Sequence, residues 1–228
     1  MNVTPKRPLI RAFLEHPMSG SEIEARSMEI IDREAPPHPF PPGEWQIVRR
    51  MIHAVGDVGI IHAVRFSSDA VEAGIKALQA CRSIYTDANM IRAGISLARL
   101  RKVCGFYRRE SIICHVADVD VARKSRRSGL PLSLHAIQKA KPLLDGAILV
   151  IGNAPVALME LSRMIIEEGF RPSLVIALPV GFIHVVESKE ELISLGVPFI
   201  TTVGHRGGSP LAISVVHALC GMAAEGGD

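Results

Sequence analysis

Three glycine-bearing turns are the stretches of this chain best built to hold a ligand: Gly152-Asn153-Ala154-Pro155, Pro179-Val180-Gly181-Phe182 and Gly204-His205-Arg206-Gly207-Gly208-Ser209. Each follows an apolar run and precedes a stretch with helical spacing. Each should therefore expose unpaired backbone N–H groups at a helix start, where the dipole favours phosphate or carboxylate. A single glycine is explained by the freedom a tight turn needs. Three such turns on one edge point instead to a ligand with several anionic groups. Four side chains could add chemistry. His53 can give or take a proton near neutral pH; its helical spacing puts it beside Gln46, Arg49, Arg50 and Asp57, where a histidine is most often simply exposed. Ser27 interrupts an apolar helix face, either bonding its own backbone or facing a ligand. Asp87 ends a strand, and either accepts a ligand's hydrogen bonds or caps the next helix. Arg206 could form a charge-assisted bond to an anion.

The elements that must position these residues follow from periodicity. Residues 146–151 (GAILVI) are an unbroken apolar run, too short for a membrane span and suited to a strand buried on both faces. Pro155 fits the first turn of the helix that follows, whose apolar positions include Leu158, Leu161, Ile165 and Ile166. Residues 173–178 and 197–203 repeat this grammar, each followed by a helical stretch. Strands alternating with helices imply parallel pairing through right-handed crossovers, with the three turns at the C-terminal edge of one sheet. The fold class expected is α/β: a three-layer α/β/α sandwich with a mainly parallel central sheet. It is Rossmann-like but lacks a dinucleotide fingerprint, because neither GxGxxG nor GxxxxGK[ST] occurs. Upstream, Ser21 with Glu24 reads as a capping box, and Ile23, Ser27, Ile30 and Ile31 share one helix face. The proline-rich residues 35–43 form a stiff connector within the fold. Trp45, Val48, Met51, Ile52 and Val55 make the apolar stripe of the His53 helix, which Gly56-Asp57 ends. Further strands are expected at residues 60–66, 83–86 and 111–116, and helices before and after Pro131.

The 228 residues suffice for one large α/β domain, residues 1–228, with 1–17 as an irregular N-terminal arm. No apolar stretch long enough for a bilayer is free of polar breaks, and no export signal follows Lys6 and Arg7, so the expectation is a cytoplasmic protein without membrane contact. Cys81, Cys104, Cys114 and Cys220 form no CxxC pair and read as free thiols; no metal site is expected. A net charge of +3 is mild, and the run Arg123-Lys124-Ser125-Arg126-Arg127 has no interleaved aromatics. That argues against nucleic acid and is compatible with a small anionic ligand.

Taken together, Ser27, Arg50-Met51-Ile52-His53-Ala54, Asp87 with Met90, Ile151-Gly152-Asn153-Ala154-Pro155, Pro179-Val180-Gly181-Phe182, Glu187-Ser188-Lys189 and Gly204 with Gly207-Gly208-Ser209 occur in one order. In this the chain resembles the precorrin-8X methylmutase (precorrin isomerase, or cobalt-precorrin-8 methylmutase) family from about residue 23 to 219. The resemblance implies an isomerase of cobalamin (vitamin B12) biosynthesis. It would move a methyl group between neighbouring ring-C carbons of precorrin-8X or cobalt-precorrin-8, yielding hydrogenobyrinate or its cobalt equivalent, without a cofactor. It implies His53 as the catalytic proton donor. Ser27, Asp87, Gly152, Asn153, Ala154, Gly181, Arg206, Gly207, Gly208 and Ser209 would bind substrate, and the protein would be a homodimer. The chain departs from the family pattern at Leu132 (usually arginine), Val156 (threonine), Ala177 (glycine) and His217 (asparagine), with Arg126 or Arg127 as candidates to replace the missing arginine. A non-catalytic corrinoid-binding protein of the same fold is the alternative.

Overall fold

The structure is a computed structural model that describes residues 7–226. In chain order its elements are α1 (Leu9–Glu15), α2 (Gly20–Glu34), α3 (Pro42–Val55), β1 (Val64–Phe66), α4 (Ala70–Gln79), β2 (Ile84–Thr86), α5 (Asn89–Gly94), α6 (Leu97–Val103), β3 (Ile112–Ile113), α7 (Val119–Ser128), α8 (Leu132–Ala140), β4 (Ile148–Ile151), α9 (Pro155–Glu168), β5 (Leu174–Ala177), α10 (Val185–Ile193), β6 (Phe199–Thr202) and α11 (Ser209–Glu225).

The strands form one six-stranded sheet in the order β1-β6-β5-β4-β2-β3. All neighbours pair in parallel except the edge strand β1, which runs antiparallel to β6 with Val64 opposite Thr202. Every residue of β4, β5 and β6 is buried, which is why β4 and β5 read as continuous apolar runs; in β6 the buried Thr201 and Thr202 hydroxyls donate to the carbonyls of Ala177 and Arg206. One face carries Ile148, Val150, Leu174, Ile176 and Ile200 into a core with Ile47 and Met51 of α3, Leu78 of α4, and Val215 and Leu219 of α11. The other carries Tyr85, Leu149, Ile151, Val175 and Ala177 against Ile137 of α8, Leu158 and Leu161 of α9, and Leu192 of α10. That makes three layers, as expected. The chain's direction of travel across the sheet reverses between β2 and β4, and open α/β folds hold ligands at such a switch point.

Several local expectations are corrected. Within the N-terminal arm, Leu9–Glu15 is helical rather than irregular. The capping box is formed by Ser19 and Glu22, whose backbone and side-chain bonds are reciprocal. The same S-x-x-E spacing recurs two residues later, but Glu24 there is taken by Arg50 on α3. The apolar face of α2 is mostly open: Ile31 is buried, while Ile23 and Ile30 are exposed. Residues 58–62 form a 3-10 turn started by the Asp57 side chain, so only Val64–Phe66 of the expected strand pairs.

Candidate active site

Helix α3 begins with Pro42 in its first turn and ends at Gly56, which takes the left-handed conformation (φ 65°) that only glycine adopts without strain. His53 therefore lies in the last turn, exposed, with its Nδ1 2.9 Å from Ser27 Oγ on α2. The serine thus faces the histidine across the helix pair. Polar ties on both sides fix that crossing. Arg50 donates to Glu24 Oε1 at 2.8 Å, one turn before each partner, and holds that carboxyl below its ordinary range. Asp32 accepts from Trp45 Nε1 at 2.9 Å and from Arg49 Nη1 at 2.8 Å. With Nδ1 engaged, Nε2 of His53 has no protein partner among the described residues. It is the nitrogen free to exchange a proton with a ligand.

The three glycine-bearing turns do come together at the C-terminal edge of the sheet, and five of their N–H groups bond protein. The Asp87 carboxylate, buried at the switch point, accepts the N–H groups of Gly152 (3.0 Å), Asn153 (2.9 Å) and Ala154 (2.6 Å). Burial pushes its carboxyl up, and the three N–H groups pull against that shift. Gly181 donates to His205 O at 3.4 Å and Gly208 to Leu178 O at 2.8 Å. The Asp87 carboxylate and the N–H groups of residues 152–154, Gly181 and Gly208, expected to face the ligand, are thus already engaged with protein partners. These groups build the site's wall by satisfying one another, because buried polar groups left unpaired are costly.

Close approach explains two of the glycines. A Cβ on Gly207 would lie 2.3 Å from both Leu178 O and Pro179 O, and one on Gly152 would meet Ala212 Cβ and Ile91 Cδ1 at 2.9 Å. His205 Nδ1 sits 2.8 Å from Gly181 O, and Arg206 Nη1 lies 3.0 Å from Asp57 Oδ2 beyond the end of α3. Between these loops and α3 runs a groove of about 420 Å³ lined by Val55, Asp57, Val180, Phe182, His205 and Arg206. Phe182 and Ile183 stand 84% and 72% exposed on its side of the sheet edge, a large apolar surface for a monomer's loop. Residue type alone missed Lys189. It is buried on α10 and donates to the carbonyls of Gly204 and Arg206. The Glu187-Ser188-Lys189 stretch carried its signal as part of a motif, without a role.

Leu132, where the resemblance implies arginine, opens α8. Lys141 beyond that helix pairs with Glu168 at the end of α9, so α8 runs alongside α9 and Leu132 lies toward the same sheet edge. Arg126 and Arg127 lie in the last turn of α7, exposed and six and five residues before the start of α8 at Leu132. His217, at the last of the four departures, accepts the Ser96 N–H through Nε2 at 3.0 Å. All four cysteines are free. Among the described residues no three His, Cys, Asp or Glu side chains gather as a metal site, and no helix is long and apolar enough to cross a membrane.

These features define a class: a doubly wound α/β protein whose candidate centre is an acid–base histidine oriented by a serine, beside a stiffened strand-end wall. The comparisons with known proteins narrow it. A family model described as precorrin-8X methylmutase matches residues 22–222. The cobalt-precorrin-8 methylmutase of Leptospira interrogans is 38% identical over 218 residues, covering 92% of this chain and 96% of the relative. The precorrin-8X methylmutase of Pseudomonas aeruginosa is 35% identical over 209 residues, covering 91% and 98%. A crystal structure of the precorrin-8X methylmutase from Thermus thermophilus matches with a TM-score of 0.82 at 44% identity, covering 91% of this chain and 98% of that one. The chain belongs to the precorrin-8X methylmutase family.

Proposed function

We propose that this chain is an isomerase of cobalamin biosynthesis that moves a methyl group between adjacent ring-C carbons of precorrin-8X, or of its cobalt-bearing counterpart, with His53 as the proton donor. The observation that carries the residue assignment is the 2.9 Å contact between Ser27 Oγ and His53 Nδ1, which leaves Nε2 free on an exposed helix end. An imidazolium there, donating to a nitrogen of the macrocycle, draws electron density from the conjugated ring and favours migration. The proton returns once the methyl has moved, so the reaction is balanced without a redox partner. The rearrangement is unimolecular, and orienting one ring geometry is most of what the protein must supply. Val55, Val180 and Phe182 offer an apolar wall for a flat ring, and Arg206 offers a cation for its carboxylates. Arg126 or Arg127 stands in for the arginine that Leu132 replaces. The protein acts as a homodimer in the cytosol, with no cofactor and with any cobalt arriving in the substrate.

The test is the visible spectrum of precorrin-8X incubated with the wild-type protein and with His53→Ala. Methyl migration changes the conjugated path, so wild type should produce a new chromophore that the variant forms far more slowly. Equal conversion by both would remove His53 from the mechanism. Binding without conversion, for the metal-free and the cobalt-containing substrate alike, would make this a corrinoid-binding protein.

A further inference from the structure

The loop between β6 and α11 is held from inside by a cation. Lys189 is 1% exposed, and its Nζ donates to Arg206 O at 2.7 Å, Gly204 O at 3.0 Å and Thr202 Oγ1 at 3.2 Å. Thr202 Oγ1 in turn donates to Arg206 O at 2.6 Å. Among the described residues no carboxylate pairs with this ammonium, and burial pulls it down to about 8. A buried cation without a counter-charge is costly unless its hydrogen bonds are worth keeping. Nothing in the proton transfer at His53 uses it.

Peptide geometry gives the consequence. Among the described residues every peptide bond is trans, so each carbonyl points opposite to the N–H of the next residue. With the carbonyls of Gly204 and Arg206 turned in to Lys189, the N–H groups of His205 and Gly207 are turned away from it. Among the described residues neither N–H donates to a protein acceptor, whereas those of Gly152, Asn153, Ala154, Gly181 and Gly208 all do. The loop cannot slide out of this arrangement. Gly207 is pressed against the carbonyls of Leu178 and Pro179, and Gly208 donates to the first of them.

We propose that Lys189 is a positioning residue for the anionic end of the substrate: by drawing two loop carbonyls inward it presents the N–H groups of His205 and Gly207, beside the Arg206 side chain, to one carboxylate of the macrocycle. The identity of that ligand rests on the methylmutase reading. The donors are sequence-neighbours two apart, the arrangement in which alternate main-chain N–H groups converge on one anion.

The experiment is an amide-resolved NMR titration of the whole protein with hydrogenobyrinate, and with the same macrocycle carrying neutral amides in place of its carboxylates. Wild type should bind the carboxylate form with shifts at the His205 and Gly207 amides. Lys189→Met should weaken that form roughly 10-fold or more, the scale of a lost charge-assisted hydrogen bond, and the amide form much less. Lys189→Arg, which keeps charge and donors, should recover part of the loss. A structural role alone would weaken both forms alike, and that result overturns the inference. So do unmoved His205 and Gly207 amides in wild type, a measurement that stands even if Lys189→Met fails to fold. If wild type binds neither macrocycle, the methylmutase reading itself falls, and this inference with it.

Discussion

Replacing Asp87 tests whether the strand-end wall is held as described. The carboxylate is 1% exposed and accepts three main-chain N–H groups across the switch point between β2 and β4. Hydrogen bonds to a charged group are each worth roughly 1.5–3 kcal/mol, so the gross loss in Asp87→Ala is roughly 5–9 kcal/mol. Much of that is offset, because alanine no longer buries a charge at a cost of several kcal/mol. Water can also reach the exposed Asn153. What remains is the Gly152 N–H, whose residue is buried, and the void left by the carboxyl, for a net destabilisation of about 3 kcal/mol. Asp87→Asn keeps an oxygen but turns an NH₂ toward donors, and should lose about 2 kcal/mol. Urea unfolding at an unchanged m-value measures both, and hydrogen exchange at residues 152–154 should quicken in step. The pH dependence has a definite sign. Burial raises this carboxyl above its ordinary 3.8, so the folded chain holds the proton longer than the unfolded one. Stability contributed by the protonated form is present below 3.8 and falls as pH rises through the raised value, a dependence that Asp87→Asn removes. A loss below about 1 kcal/mol in Asp87→Ala would refute the wall as drawn, since not even one buried unsatisfied donor would then be left behind.

Two other perturbations address the same edge and the helix layer behind it. Gly207→Ala places a Cβ 2.3 Å from two backbone carbonyl oxygens, which cannot swing aside as a side chain would, so both loops must part. The expected cost is about 3 kcal/mol in unfolding free energy with a large fall in turnover, and wild-type activity in this variant would contradict the packing. His217 accepts the Ser96 N–H as the neutral ring, and burial, helped by Arg99 and Arg50, lowers it from 6.5 to about 4. Its contribution is full above 6.5 and is lost as pH falls toward 4, up to about 3 kcal/mol. Melting temperatures at neutral and acid pH should therefore differ more for wild type than for His217→Gln, and equal differences would count against it.

The sheet was the most legible part of the chain, because β4, β5 and β6 are buried on both faces, β4 and β5 are apolar throughout and β6 is broken only by Thr201 and Thr202. The turns after them were legible too, since Gly152, Pro155 and Gly207 meet steric and helix-start demands that few residues satisfy. What the turns do with their N–H groups was not. Whether a donor faces a ligand or a neighbour depends on a residue 65 or more positions away, and only the fold brings Asp87 beneath residues 152–154. The helix N-terminal to Trp45 misled for a related reason. Ile23 and Ile30 have helical spacing but little to pack against, so periodicity alone overstated that face. The contact between Ser27 and His53 links two helices through a proline-rich connector, and spacing within either helix could not give it.

An enzyme that rearranges one bound molecule gains little from donors that move to meet it, because its main task is to fix one geometry. That makes sense of where the polar groups of this edge are spent. Asp87 consumes three N–H groups, Lys189 consumes two loop carbonyls, and the turns after β5 and β6 are tied together by Gly208, Gly181 and His205. In the proposed reading the groups that meet the ligand come from different elements: Nε2 of His53 from α3, the exposed face of Phe182 from the loop after β5, and the His205–Gly207 segment from the loop after β6. Arg206 ties the last of these back to the first, since its guanidinium pairs with Asp57 just past the end of α3. A substrate carboxylate that draws Arg206 away from Asp57 would exchange one ion pair for another of similar worth, so binding there should select for charge position more than add affinity.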